Sequence, residues 1–196
     1  PILGILAHTQ GDATVIFRKV KTAWENFPAK IKEFLFLNAV GDSKSEYEFT
    51  NGSVMRIATS LRSGTYQAVL ITEYGKLCAH YPDKALEVKT GTLPAANMGL
   101  VFIESTAEGE GGEYFDMVQD ARELQRNKVP LTIKDFKFFF FPWYQNPANQ
   151  VVADAVPIDA ATNEYLDNLE RDVLKKRLPQ SYRNWYYLEQ KTQKDK

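Results

Sequence analysis

Two apolar runs in this 196-residue chain end in a carboxylate. "AVLITE" closes at Glu73. "VFIE" closes at Glu104 and passes directly into Ser105 and Thr106. An acid at the end of a stiff strand can hold a water and take its proton, provided the backbone keeps it within hydrogen-bond reach. Nucleotide hydrolysis needs such a carboxylate, a Mg²⁺ ligand and cationic groups facing the γ-phosphate. Arg62 lies ahead of a Ser63-Gly64 turn and could supply a guanidinium for transition-state charge, in some motors across a subunit boundary. The hydroxyls of Ser105 and Thr106 can bond a water or a phosphate and register its presence. Gly109, Gly111 and Gly112 then permit a tightly turned or mobile loop. Taken singly, each feature has an ordinary explanation: a soluble acid closing a strand, a surface arginine after a hairpin, polar caps in a glycine-rich connection.

Other chemistries find less support. No GxxxxGK[ST] occurs, so a phosphate-cradling loop is absent from these residues. One cysteine, Cys78, makes no internal disulfide framework and fits a reducing compartment. With only His8 and His80 beside it, no normal zinc site forms. Neither histidine has an obvious partner for a Ser-His-Asp set. Asp135, Asp154 and Asp159 could in principle serve a two-metal nuclease, but they follow no pattern. No run approaches the roughly 18 apolar residues of a membrane span. The opening "PILGILAHTQ" has no basic flank, no small-residue cleavage site and no Met, which leads us to expect a piece of a longer protein.

The composition, 44% hydrophobic and 25% charged, is that of a globular protein, and 13% aromatic residues provide for a sizeable core. Net charge is −1 but uneven: residues 171–196 hold eight Lys or Arg against three Asp or Glu, so a local +5 faces −6 elsewhere. A basic terminal stretch is either a solvated helix face or a phosphate contact. Lys175, Lys176, Arg177 and Arg183 are its candidates for DNA.

These groups need elements to position them. Gly4–His8 reads as a buried strand. Asp12 can cap a helix to about Asn26, with Ile16, Val20, Ala23, Trp24 and Phe27 on one face. "KIKEFLFL" is a second short helix or turn. Asn51-Gly52 between "EYEF" and "VMRI" signals a hairpin. Gln67–Thr72 and Gly99–Glu104 are buried strands, Pro82 to about Lys89 a short helix, and Glu113–Arg126 an amphipathic helix. "KDFKFFFFPW" reads as an aromatic strand stopped by Pro142. Asp159–Arg177 and the residues after Gln180 are helices. Short buried strands alternating with helices predict an α/β fold with a mostly parallel sheet, in which ligands sit at the carboxyl ends of the strands. The texture change near residue 145 predicts two parts, 1–145 and 146–196.

As an ordered set, "ILAHT", "TAWENFP", "FTNGSVMRIATSLRSGT", "AVLITEYGKLCAHYPDKALEVKTGTLPA", "VFIESTAEGEGGEYF", "FFFFPWYQNP" and "NWYYLEQK" resemble the ATPase domain of the large terminase subunit of tailed bacteriophages and prophages. The resemblance spans roughly residues 3–190. It implies a P-loop NTPase fold of the ASCE/RecA-like kind, lacking its N-terminal phosphate-loop strand, followed by part of a helical linker. It implies ATP and Mg²⁺ as cofactors of the whole protein and Glu73 as the catalytic carboxylate of the Walker B strand. Where the family has an Asp as the Mg²⁺ ligand this chain has Thr72, whose neutral hydroxyl would bind the ion more weakly or through water. Arg62 corresponds to the arginine finger, and Glu104, Ser105 and Thr106 to the segment coupling hydrolysis to movement. Implied partners are double-stranded DNA, the portal protein, the small terminase subunit and further copies on the procapsid, in the cytoplasm of a bacterial host and without a membrane. The resemblance also places a nuclease domain after this segment and the phosphate-loop strand mid-sheet. Its absence predicts a gap closed by strand rearrangement or by another chain.

A non-catalytic assembly module binding portal, small subunit or DNA is the alternative, and a nuclease the third. An upstream phosphate-loop motif would favour the motor. The fragment alone would hydrolyse ATP negligibly.

Overall fold

A computed structural model describes residues 1–196 apart from 44, 63, 154, 155, 195 and 196, so Ser63 and Asp154 lie outside the described residues. The chain falls into two compact units, Pro1–Phe138 and Phe139–Lys196.

The first unit is built on a single six-stranded sheet, ordered β2-β3-β4-β1-β5-β6. β1 (Ile2–Leu6), β5 (Ala68–Ile71) and β6 (Leu100–Ile103) are short apolar runs, but of these only β1 and β5 lie inside the sheet; β6, expected as a buried strand, is its edge and leaves Leu100 and Phe102 exposed. β1 pairs in parallel with β4 (Val54–Ala58) on one side and β5 on the other, and β5 pairs in parallel with β6. β2 (Ala39–Asp42) and β3 (Glu46–Phe49) extend the sheet antiparallel beyond β4. Gly52, at φ 74°, makes the expected Asn51-Gly52 turn between β3 and β4.

Side chains alternate between the two faces. Ile5, Ala7, Ile57 and Leu70 meet Ala13, Ile16, Phe17 and Val20 of α1 (Gln10–Glu25). Leu6, Val69 and Ile71 meet Tyr74 and Leu77 of α3 (Tyr74–His80), Ala85 of α4 (Pro82–Glu87), and Val88. Met117 of α6 (Glu113–Arg126) packs against the same cluster. α2 covers Ala29–Phe34, and α5 (Leu93–Ala95) follows a π-helical turn at Val88–Thr92. The α1 cap is Thr9 rather than Asp12: the Asp12 amide donates to Thr9 Oγ1 at 3.2 Å, and the helix starts earlier than expected.

Two further expectations, both about strands, need correction. The sheet shows no interior gap: β1 is in register with both β4 and β5, so no slot is left for rearrangement or a second chain to fill. The order ends at β6, whose other edge is open among the described residues. The "KDFKFFFFPW" segment forms no strand. Phe139, Phe140 and Phe141 are exposed, and β-propensity yields a strand only where the backbone joins a ladder.

In the second unit, Asp159 caps α7 (Ala160–Asn168) by accepting from the Thr162 amide at 2.7 Å. The single helix expected over Asp159–Arg177 instead widens into a π-helical turn at Leu169–Leu174 and stops at Lys175, which has φ 54°. α8 is Gln180–Lys194. Leu166, Leu178 and Tyr187 are buried, and Trp143 stacks on Trp185 and Tyr186.

Candidate active site

Parallel strands deliver their carboxyl ends to one edge of the sheet, where β5 and β6 set Glu73 beside Glu104, Ser105 and Thr106. Residues Ala68 to Ile71 pair in register with Leu100 to Ile103, so the two acids leave their strands nearly level. Glu73 has φ 52° and ψ 41°, the left-handed region, at the junction of β5 with α3. For a non-glycine residue this costs about 1–2 kcal/mol. The surroundings hold it there: the Tyr74 amide donates to the Glu104 carbonyl at 3.2 Å, and the Glu104 amide donates to the Ile71 carbonyl at 3.0 Å.

The Glu73 side chain is half-buried. Thr106 Oγ1 donates to Glu73 Oε2 at 3.2 Å, and Lys76 Nζ lies 3.5 Å from the same oxygen. Ser105 works differently. Its Oγ accepts from the Gly75 amide at 3.0 Å and donates to the Thr106 carbonyl at 2.7 Å, tying the two strand ends together. Gly75 is required at that crossing. A Cβ there would lie 2.8 Å from Ser105 Oγ and 3.1 Å from the Thr106 carbonyl oxygen.

The Glu73 charge acts on its neighbours. Partial burial, and then the Glu73 charge, push the Glu104 carboxyl up, against a hydrogen bond from the Glu73 backbone and the nearby Lys76. The Tyr114 phenol is pushed up by burial and by the same two acids, and burial pushes Tyr74 up strongly. The pair is therefore a site that retains a proton readily next to a carboxylate held by a hydroxyl and a lysine.

The other sequence candidates are distributed elsewhere. Thr72 is buried, and its hydroxyl donates to the Leu6 carbonyl at 3.2 Å, so it is turned into the sheet and away from any metal. Among the described residues no group of three or more His, Cys, Asp or Glu could hold a metal ion. The donor set for Mg²⁺ is thus incomplete among the described residues. Arg62 is not gathered to Glu73. Its Nε lies 2.7 Å from Glu87, and its side chain runs past Gly91. Ser60 hydrogen-bonds the same Glu87, and that bond first, with Arg62 behind it, holds the Glu87 carboxyl down.

Arg183 is spent within its own unit. It pairs with Glu170 at 2.8 Å and Asp167 at 2.9 Å, and its side chain is only 13% exposed, which takes it out of the DNA candidates. Lys175, Lys176 and Arg177 are exposed. His8 Nδ1 lies 3.3 Å from Asp12, and His80 Nε2 lies 3.8 Å from Glu108.

Sequence reading missed α3, and with it Lys76 and the role of Gly75. The available signal was the i, i+3 spacing of Glu73 and Lys76, which places both on one side of a helical turn.

The fold and site define a mixed α/β chain with a carboxylate pair at the carboxyl ends of adjacent parallel strands. No family model matches the sequence, and no curated protein matches it. Among solved structures it is similar to the HK97 bacteriophage large terminase, with a TM-score of 0.44 and 12% identity over 82% of this chain. The chain spans 30% of the length of that structure.

Proposed function

We propose that this chain carries the water-activating carboxylate of an ATP-hydrolysing motor of the large-terminase kind, one that drives double-stranded DNA into a procapsid. The observation carrying the reading is the hydrogen bond from Thr106 to Glu73 across two parallel strand ends, with Glu73 held in a left-handed conformation. A strained acid at the carboxyl end of a parallel strand, oriented by a neighbouring hydroxyl, suits a general base. Glu73 accepts the proton of the attacking water. Thr106 orients the carboxylate and senses its loss of charge. Ser105 transmits the displacement to Gly75 and α3.

ATP supplies the energy. Mg²⁺ and the phosphate cradle come from groups outside this segment, and Arg62 acts on the nucleotide of a neighbouring copy after leaving Glu87. Portal protein and small terminase subunit are the partners of such a motor.

The test is steady-state ATP hydrolysis by the product of the whole reading frame that contains this chain. Glu73→Gln lowers kcat by about 100-fold or more with little change in KM. Equal kcat for the two proteins would remove Glu73 from the role.

A further inference from the structure

The proposed motor must hold DNA, and the C-terminal basic run is not the best place for it. α6 offers another. Gln119, Arg122 and Arg126 fall on one solvent-facing stripe of that helix, at the i, i+3, i+7 spacing. Beyond the helix the chain turns at Lys128, which has φ 54°, and comes back along it. On its return the Phe138 amide donates to Gln125 Oε1. The Phe138 ring then lies beneath the Arg122 guanidinium, 5.8 Å from centroid to Cζ. The result is a hollow of about 300 Å³ lined by Gln119, Arg122, Glu123, Gln125, Arg126 and Phe138.

Arg122 and Arg126 differ from Arg56, Arg62, Arg171 and Arg183, each of which pairs with a carboxylate. Among the described residues Arg122 and Arg126, like Arg18 and Arg177, make no ion pair, and of these four only Arg122 lies over an aromatic ring. Complementing the helix dipole accounts for Arg126, in the last turn, but not for Arg122 one turn earlier. Residues one turn apart on a helix stand about 5–6 Å from each other at Cβ, a spacing that suits successive phosphates of one strand. The Phe138 ring holds the Arg122 fork in place, so less rotamer freedom is lost on binding. The Gln119 amide adds a neutral phosphate donor of the kind protein–DNA interfaces use.

Resting on the motor reading above, we propose that this hollow grips the phosphate backbone of one strand of duplex DNA, with Arg122 and Arg126 on phosphates and Phe138 as the support for Arg122. Glu123, on the same rim, weakens the grip and tunes it for movement.

The test is fluorescence anisotropy of a short labelled duplex with the full-length protein, without nucleotide, across a salt series. It is independent of hydrolysis, so its failure and that of the Glu73 assignment are read separately. Arg122→Gln/Arg126→Gln is expected to weaken binding about tenfold or more at low salt and to reduce the slope of log K against log salt by about two. Lys175→Gln/Lys176→Gln changes the slope less. Glu123→Gln, which removes no packing, tightens binding and is the second arm should the double variant fold poorly. Unchanged slope in a folded double variant, or no tightening by Glu123→Gln, would overturn the proposal. So would a defect confined to single-stranded DNA, or lost binding of inorganic triphosphate with duplex affinity retained.

Discussion

Glu104 is the residue whose chemistry depends most on its neighbours. Its carboxyl binds a proton more readily in the folded chain than in the unfolded one, because partial burial and the Glu73 charge both oppose ionisation. A raised carboxyl supports the fold while protonated. That support is complete below the unfolded value near 4.5 and is lost as pH rises through the higher folded value. Glu104→Gln is therefore expected to raise the melting temperature at pH 7, with the gain shrinking toward pH 4. Parallel thermal melts of the two proteins across that range check it, and a gain that grows on acidification would reverse the assignment. The group is partly open to solvent, so the effect is screened and its sign is the quantity to read. Thr72 shows the other side of residue-scale reading. Its position suggested a metal contact, yet its hydroxyl is taken by the carbonyl of a strand 66 residues earlier in the chain.

At the scale of elements, the crossing of β6 with α3 is the joint on which the site depends. Gly75 admits Ser105 and the Thr106 carbonyl so closely that a Cβ there would force one of them to shift. Gly75→Ala should destabilise the protein by about 1–3 kcal/mol through overpacking. The urea midpoint should fall accordingly, and the Thr106–Glu73 hydrogen bond should be disturbed in the same variant. An unchanged midpoint would show that the joint has slack. The element boundaries follow from local chemistry where that chemistry is strong. Glu113–Arg126 is a helix over its whole expected span, because its apolar residues recur at helical spacing and Asn127 ends it. The Asn51-Gly52 hairpin forms where its turn residues require. α3 was missed: it follows β5 after only Thr72 and the left-handed Glu73, its stretch from Tyr74 to His80 carries no cap signal, and the i, i+3 spacing of Glu73 and Lys76 is its one local trace.

Across the whole molecule, each compact unit has its own means of cohesion. The first packs helices against the central strands of a mostly parallel sheet. The second relies on an aromatic stack and on Arg183, which gathers Asn163, Asp167 and Glu170. Glu170 is 7% exposed and also accepts from the Leu178 amide at 3.0 Å. Removing the arginine leaves a buried charge without its partner, at a cost of about 3–5 kcal/mol. Arg183→Ala is thus expected to increase amide hydrogen exchange over α7 and α8 while β1 and β5 keep their protection. Uniform loss of protection in both units, or none in α7 and α8, would contradict this.

Residue order alone determined the class of fold, the strands ending in Glu73 and Glu104, and the alternation of strand and helix, because apolar period and turn chemistry are local properties. It also brought Glu73 and Thr106 under suspicion together, since parallel strands of similar length must end at a common edge. Only the tertiary structure decided that β1 fills the middle of the sheet, that Thr72 faces inward, and that Arg62 and Arg183 are held by carboxylates. Those outcomes depend on which distant groups meet in space, and pairing across such separations leaves no periodic trace in the chain. The aromatic run at residues 138–141 makes the same point. Its composition favours a strand, but the segment joins no ladder of the sheet.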